Sequence, residues 1–342
     1  MEISAVVPTR NRQESLMRLL RSLEAQAMPL KEVIVIDSSD TPLRQNDLRL
    51  RFPRLNILYR RSIVSACTQR NLGIALATSE FIFLTPDDLE IPSRYIASLA
   101  EFVRTHPDEG AVTGICLEPD ESSILQTTVR IIPFRQLLWQ FIFQLSVWVD
   151  VSKTPATWWQ MPMLALLKKY YKHRGNTYTA AGWPLVTQVS DNVFRASLFT
   201  LGGALIRRRW LLQSPYDERL DPYGIGDNYG VTMGFPKQQP VVVIADLFVI
   251  HHKERTNRLP DPTTYFRRIL ALDYFLGRNG KRHLGKRLIL AWSLIGNLSY
   301  QFVRRQEPMR KATLRALWII LRGTNPYLAG LPSNKCITPN LR

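Results

Sequence analysis

Residues 31–40 read KEVIVIDSSD, and this stretch decides the fold class. Four β-branched residues stand in an unbroken run at positions 33–36 and end at Asp37. An apolar run without alternation is typical of a strand that is buried on both faces of a parallel sheet. The polar residues after Asp37 indicate a turn at the carboxyl end of that strand.

Strand-like and helix-like segments alternate on both sides of this run. The apolar runs at 3–7 (ISAVV), 55–60 (LNILYR), 81–84 (FIFL) and 110–117 (GAVTGICL) predict further strands. The segments at 15–26, 66–79 and 93–107 have the apolar spacing of helices or end in residues that commonly end helices. The order predicts an α/β fold with a Rossmann-like, mostly parallel sheet flanked by helices.

The chain of 342 residues is long enough for one large domain and an appendage. We expect a first half at 1–117 and a second half at 118–258, which begins with an insertion rich in Trp, Tyr and Pro at 118–197. Residues 259–342 are mostly of helical pattern and basic, and they form a third region.

The net charge of +17 implies an anionic partner, which could be nucleic acid, a phosphate-rich substrate or an acidic membrane surface. Residues 253–322 carry sixteen Lys or Arg and only four Asp or Glu. The basic excess is therefore largely a property of the C-terminal region, where Trp292 and Trp318 could act as interfacial anchors. A helical subdomain packed on the core is the alternative interpretation.

The three cysteines, Cys67, Cys116 and Cys336, are odd in number and contain no CxxC pair, which fits a reducing cytosol. The N-terminal residues lack the pattern of a signal peptide. No segment reaches the roughly 20 apolar residues of a spanning helix. We therefore expect a cytoplasmic protein, with peripheral attachment to the inner face of the membrane as an open possibility.

Asp87 and Asp88 follow the apolar run FIFL after only Thr85 and Pro86. Two adjacent carboxylates repel each other and are costly to bury, so either they lie in water on a turn or a cation lies between them. Polar groups also follow the first strand at Thr9 and Asn11 and the second at Asp37. In open α/β sheets, ligands bind at this carboxyl edge.

Six motifs stand in a characteristic order: PTRNR, VIDSSD, QRNLGIALATSEFIFLTPDD, GGALIRR, YDERLDPYGIGDN and VIHHK. In this order the chain resembles the family 2 glycosyltransferases of the GT-A fold over about residues 3–258. The resemblance implies an inverting, metal-dependent enzyme that moves a hexosyl or deoxyhexosyl group from a nucleotide-sugar donor. The implied acceptor is a glycan or a polyprenyl-linked sugar in cell-surface polysaccharide biosynthesis, and no nucleic-acid partner is expected.

The resemblance also assigns roles to individual residues. It implies a nucleotide site at Pro8, Thr9, Arg10, Asn11, Asp37, Arg70 and Asn71. It implies a divalent cation, Mn²⁺ or Mg²⁺, held by Asp87 with His251 or His252 and with Asp88 as a secondary ligand. It implies that Asp227 is the catalytic base.

The chemistry of sugar transfer requires such groups. A hard cation held by carboxylates neutralises the diphosphate leaving group, and a base takes the proton of the acceptor hydroxyl. The sequence departs from the family at Thr85, where the first acid of Asp-x-Asp is expected, and at 226–228, where Gly-Asp-Asn replaces the usual Glu-Asp. Asp227 keeps the place of the base in this register, whereas a one-residue shift would put Asn228 there. Asp217, Glu218 and Asp221 are alternative bases.

Three other functions remain open at this stage. A nucleotidyltransferase would have a Gly-rich, Lys-containing loop after the first strand, and PTRNRQES contains neither residue. A nucleic-acid-binding protein could use the basic tail, although no zinc spacing or RNP-like aromatic pair accompanies it. A degenerate transferase that binds the nucleotide without turnover is the third.

Overall fold

The computed structural model describes residues 1–118, 131–189, 191–278 and 283–329. Residues 119–130 of the predicted insertion and Cys336 lie outside the described residues. The strands are β1 (Ile3–Thr9), β2 (Glu32–Asp37), β3 (Ile57–Arg61), β4 (Phe81–Leu84), β5 (Leu89–Glu90), β6 (Ala111–Leu117), β7 (Val147–Trp148), β8 (Leu185–Val186), β9 (Val193–Ala196), β10 (Ala204–Arg207) and β11 (Val241–His251).

The helices alternate with these strands in the first part of the chain and dominate its end. They are α1 (Gln13–Glu24), α2 (Gln45–Arg51), α3 (Ala66–Leu76), α4 (Tyr95–Thr105), α5 (Phe134–Ile142), α6 (Met161–Arg174), α7 (Arg208–Gln213), α8 (Asp227–Met233), α9 (Asp261–Arg278), α10 (His283–Val303) and α11 (Glu307–Arg322). The sequence analysis left out α2 and the two-residue strand β5.

One sheet contains the strands in the order β3-β2-β1-β4-β10-β6-β11-β5, with β9 paired to β11. Strands β1, β2, β3, β4, β6 and β11 run parallel, while β5, β9 and β10 run antiparallel to their neighbours. The α/β class with a mostly parallel sheet is thus confirmed.

Alternate residues of β1 face helices on opposite sides of the sheet, because side chains along a strand alternate in direction. Ala5 and Val7 belong to a buried cluster that includes the leucines of α1. Val6 instead faces α3, where a Cβ on Gly73 would lie 2.4 Å from a methyl group of Val6. Helix α3 can therefore approach the sheet closely only with glycine at this position.

The described residues cluster into two compact units. The first comprises Met1–Leu138, Val147–Thr177 and Pro184–Arg258 and contains the sheet. The second comprises Trp139–Ser146, Tyr178–Trp183 and the described part of Leu259–Arg342, in which α9, α10 and α11 pack on one another. The three-part division of the chain at residues 117 and 258 stays a prediction.

Candidate active site

Two buried aspartates at the end of β4 share one guanidinium group. Asp87 and Asp88 are 3% and 2% exposed. Nη1 of Arg12 lies 3.1 Å from Oδ1 of Asp87 and 3.6 Å from Oδ2 of Asp88. Arg12 lies between β1 and α1, and the sequence analysis did not single it out. Its charge offsets the repulsion between the two carboxylates.

Further partners surround the same pair. The hydroxyl of Thr9 donates to Oδ2 of Asp87 at 2.7 Å. Nε2 of His251 lies 3.2 Å from Oδ2 of Asp88, and Nη2 of Arg258 lies 3.6 Å from the same oxygen. The structure therefore brings Thr9, Asp87, Asp88 and His251 together, and the roles assigned to them stay predictions.

His252 has a different partner from His251. Its Nε2 lies 2.9 Å from Oε2 of Glu90. The two histidines are adjacent at the end of β11, where successive side chains point to opposite faces. The backbone N–H of His252 donates to the carbonyl oxygen of Asp88 at 3.0 Å, but of the two histidines only His251 contacts a carboxyl group of the pair with its side chain.

The two carboxyl groups differ in how fully their charge is compensated. Burial raises the pKa of Asp87 to about 6, and the opposing effects of Arg12 and Thr9 do not cancel it. Burial acts in the same direction on Asp88, but His251, Arg12 and Arg258 hold the pKa of Asp88 below its usual value. Asp87 is therefore the carboxylate that a further cation would stabilise more.

The contact with Asp88 also changes the pKa of His251. Burial lowers the pKa of His251, but hydrogen bonds to Asp88 and Cys116 and the charge of Asp88 outweigh burial and raise it to about 9. The imidazole is consequently protonated at neutral pH. The cluster of Arg12, Arg258 and protonated His251 around two carboxylates carries an excess of positive charge.

Asp37 is fully buried at the end of β2 and is held by several groups, among them the backbone N–H of Leu43, which donates to Oδ2 at 3.5 Å. The hydroxyl of Tyr59 donates to Oδ2 at 2.7 Å, Nη1 of Arg61 lies 3.4 Å from the same oxygen, and the backbone N–H of Ser39 donates to Oδ1 at 2.7 Å. Burial and the hydrogen bond to Asp37 raise the pKa of Tyr59 to about 12. Asp37 therefore fixes the turn after β2.

The segment after β1 adjoins this turn. Asn11, which has a φ of 51°, donates from Nδ2 to Oδ2 of Asp40 at 2.7 Å and accepts the backbone N–H of Asp40 at 2.9 Å. Arg10 lies 4.0 Å from Asp40, and its buried Nε has no hydrogen-bond partner in the structure. Pro8 lies within β1, in register with Ile36 of β2. Pro8, Thr9, Arg10, Asn11 and Asp37 thus share one sheet edge.

Gln69 ties α3 to this edge, which the sequence analysis missed. Its Nε2 donates to the carbonyl oxygen of Thr9 at 2.9 Å and to that of Ile36 at 2.8 Å. Gln69 is buried, so these bonds satisfy carbonyl groups at the ends of β1 and β2. A polar residue at a helix position that faces the sheet is the signal that could have identified it.

Asp227 forms an ion pair with Arg70. Nη1 of Arg70 lies 2.5 Å from Oδ2 of Asp227, and the backbone N–H of Asn228 donates to Oδ1 at 2.7 Å. Gly226, with a φ of 90°, makes the left-handed turn that begins α8 at Asp227. Burial raises the pKa of Asp227, while Arg70 acts in the opposite direction.

Asn71 and Asp221 hold the segment before α8 against α3. Asn71 donates to the carbonyl oxygen of Tyr216 at 2.9 Å and to Oε1 of Glu218 at 3.1 Å. Asp221 accepts the backbone N–H of Cys67 at 2.9 Å and the hydroxyl of Ser65. These contacts give Asn71 and Asp221 positions that support the Arg70–Asp227 pair.

Helix α3 connects the two charged clusters. Gln69 binds the end of β1 beside Thr9, whose hydroxyl donates to Asp87. Arg70, the next residue along the helix, holds Asp227. Two consecutive residues of α3 therefore fix the relation between the aspartate pair at β4 and the aspartate at the start of α8.

A divalent cation at this edge would need several oxygen or nitrogen ligands. Within residues 1–118, 131–189, 191–278 and 283–329, no group of three or more His, Cys, Asp or Glu side chains could hold a metal by itself. Magnesium bound with phosphates usually takes one or two carboxylates, and water and substrate oxygens complete its shell. Asp87, whose raised pKa marks an undercompensated charge, and Asp88 fit such a partial site.

A model of the family described as Glycosyl transferase family 2 matches residues 4–152. The protein named "Putative colanic acid biosynthesis glycosyl transferase WcaA", from Escherichia coli (strain K12), is 34% identical over 102 residues. That match covers 29% of this chain and 37% of WcaA, so the chain spans little more than a third of this relative.

Solved structures share the fold at low sequence identity. S. aureus TarS 1-349 in complex with UDP-GlcNAc aligns with a TM-score of 0.52 and 13% identity, covering 96% of this chain and 89% of that chain. The mannosyltransferase PcManGT from Pyrobaculum calidifontis, in complex with GDP-Man and Mn²⁺, aligns with a TM-score of 0.52 and 15% identity, covering 94% and 87%. At these identities the likeness supports the GT-A fold alone.

The raised pKa of His251 predicts a pH dependence of stability. Protonated His251 contributes stability in full below about pH 6.5, the usual histidine pKa, and this contribution is lost as the pH rises through about 9. NMR titration of the histidine ring signals, assigned with a His251→Gln variant, should give a pKa near 9 for His251.

Asp88→Asn removes the charged acceptor, so the pKa of His251 should fall toward or below 6.5 in that variant. Glu90→Gln is the matched control, because Glu90 contacts His252, and it should leave His251 near 9. A pKa below 7 for His251 in the unaltered protein would contradict the assigned contact.

Proposed function

We propose that the chain, whose residues 4–152 match the model of glycosyl transferase family 2, moves a sugar from a nucleotide-sugar donor to an acceptor hydroxyl. The observation that carries the proposal is a buried aspartate of raised pKa, Asp87, at the sheet edge where α/β proteins bind ligands. A second buried aspartate, Asp227, is fixed to the same edge through α3.

The cationic groups around Asp87 suit the diphosphate of such a donor. Arg12, Arg258 and protonated His251 exceed the two carboxylates in charge, so an anion at this edge gains a favourable interaction. Arg10, whose buried Nε has no hydrogen-bond partner in the structure, is a further donor for a phosphate oxygen. The turn around Asp37 and Asn11 would then form the nucleoside side of the site.

A divalent cation, Mn²⁺ or Mg²⁺, is part of the proposal. Asp87 would hold it, with Asp88 beside it, and His251 could join them only after losing its proton, because a metal-binding imidazole is neutral. The bound cation would neutralise charge on the leaving diphosphate. The Mn²⁺ in the PcManGT structure supports this choice by analogy. The raised pKa of Asp87 supports it from this chain's own residues, because a carboxylate in that state gains from an added positive charge.

Asp227 is proposed as the general base. Burial raises its pKa and so strengthens it as a proton acceptor, while the ion pair with Arg70 favours its ionised form. The acceptor oxygen would attack the anomeric carbon as its proton passes to Asp227. The bond from that carbon to the diphosphate oxygen would break in the same inverting displacement.

The proposal also covers the transferred sugar, the acceptor and the location of the enzyme. The transferred group would be hexosyl or deoxyhexosyl, and the acceptor a glycan or a polyprenyl-linked sugar of a cell-surface polysaccharide. The relation to WcaA, whose printed name refers to colanic acid biosynthesis, supports this pathway class. A cytoplasmic enzyme that is peripheral on the inner face of the membrane would meet such an acceptor.

Donor binding can be tested by thermal denaturation with UDP-, dTDP- and GDP-sugars, each with and without Mn²⁺. One nucleotide class should raise Tm, since a ligand at about 100 times its Kd adds about 2.7 kcal/mol to the free energy of unfolding. Mn²⁺ should enlarge this shift. Asp87→Asn should lose the Mn²⁺-dependent part, whereas the exposed control Asp246→Asn should keep it.

The proposal fails if no donor raises Tm at millimolar concentration. The metal assignment fails separately if Asp87→Asn retains the full increment from Mn²⁺.

Asp227→Asn tests the base. The rate at which nucleoside diphosphate is released, with a native membrane extract as the acceptor source, should fall by about 10²–10⁴-fold. The donor-induced Tm shift should persist, which would separate loss of the base from loss of folding. Asp246→Asn should keep the normal rate, and a rate above about a third of normal in Asp227→Asn would contradict the assignment.

A further inference from the structure

Helix α10 carries apolar side chains on two opposite faces. Leu290 and Leu294 on one face are fully buried, and Gln301 on the same face accepts the hydroxyl of Thr313 in α11 at 2.8 Å. The opposite face carries side chains that are 44–72% exposed: Leu284, Leu288, Trp292, Ile295 and Phe302. Steps of three, four and seven residues put these on one helical stripe. A surface helix normally has polar residues there.

Helix α11 carries a second exposed stripe. Leu314, Trp318 and Leu321 are 50–61% exposed and follow one another at steps of four and three residues. Phe302 of α10 and Leu314 line one shallow cavity together with Leu298, Ser299, Val303 and Arg310, so the two stripes adjoin. The two stripes together are called the apolar face below.

Cations surround the apolar face. Residues 283–329 contain eight Lys or Arg and a single acid, Glu307, which lies 2.6 Å from Lys311. The guanidinium of Arg322 lies 3.7 Å from the ring centre of Trp318, and that of Arg310 lies 5.7 Å from the ring centre of Phe302. The positive charges therefore stand directly beside the exposed aromatic rings.

We propose that the apolar face docks onto an anionic lipid surface, with α10 and α11 lying in the headgroup region. Leucine and aromatic side chains with flanking Lys and Arg are the composition of helices that lie in a membrane interface. Within the described ranges, no helix has the length and apolar content needed to cross a bilayer. The attachment is therefore peripheral.

Charge selects the lipid surface over a second copy of the chain. Two copies that met through this face would bring two cationic rims together, and like charges at an interface oppose association. At an anionic leaflet, each nearby Lys or Arg instead raises the binding constant about fivefold. The docking is argued from this surface alone and does not require that the chain transfers sugar.

Cosedimentation of the full chain with vesicles tests the proposal, without any nucleotide-sugar so that transfer activity plays no part. Phosphatidylcholine vesicles with about 30% phosphatidylglycerol should bind the protein at least about tenfold more strongly than pure phosphatidylcholine at low salt. Raising the salt to about 0.5 M should weaken binding, since screening shortens the reach of the charges.

Phe302→Ser/Trp318→Ser removes two exposed rings and should lower binding about tenfold or more. Leu50→Ser/Ile63→Ser is the matched control, because both side chains are exposed and lie in the first unit. It should change binding less than twofold.

Arg304→Glu/Arg322→Glu reverses two charges beside the apolar face and should also lower binding at least tenfold. Arg51→Glu/Arg54→Glu is its control, with the same change of net charge in the first unit. Equal binding to both vesicle types, or equal losses in the variants and their controls, would overturn the proposal. A dimer that Phe302→Ser/Trp318→Ser dissociates, in a chain that binds no vesicles, would assign the face to a second copy.

Discussion

The burial of two adjacent carboxylates at the end of β4 is the constraint on which the site depends. Asp87 and Asp88 cannot both be ionised in a buried position unless cations lie close to them. The chain supplies these from two segments that are far apart in sequence: Arg12 follows β1, whereas His251 and Arg258 lie at the end of β11 and just beyond it. The ion pairs with Asp87 and Asp88 thereby hold the segments that carry these cations at the same sheet edge.

Helix α3 extends this arrangement to Asp227, the proposed base. Gln69 satisfies the carbonyl groups of two strand ends, and its neighbour Arg70 pairs with Asp227. Because both residues lie on one turn of a helix that packs on the sheet, a shift of Asp227 relative to Asp87 would disturb buried hydrogen bonds. The proposed sugar transfer would need this rigidity, since the donor and the proposed base would have to stay aligned. In the proposed reaction, the excess of positive charge near Asp87 would bind the diphosphate, and Asp227, with its raised pKa, would accept the proton.

The sequence predicts the strands well because their signals are local. The unbroken run before Asp37 and the run before Asp87 are buried parallel strands, as the pattern indicates. The partners of these aspartates could not be predicted in the same way. The contact of Arg12 with Asp87 joins residues 75 positions apart, and no periodicity encodes such a pair. Likewise, the short antiparallel strand β5 exists only through its pairing with β11. The inclusion of residues 139–146 and 178–183 in the helical unit also depends on tertiary packing.

The central claim, that Arg12 balances the buried aspartate pair, is tested most directly by urea unfolding of Arg12→Met at two pH values. At pH 8 the variant should lose about 3–5 kcal/mol of unfolding free energy, because a buried charge is left without its partner. At pH 5 the loss should be much smaller, because Asp87, with a pKa of about 6, then takes up a proton. Adding Asp87→Asn should recover most of the loss at pH 8. An equal loss at both pH values, without recovery in the double variant, would contradict the account.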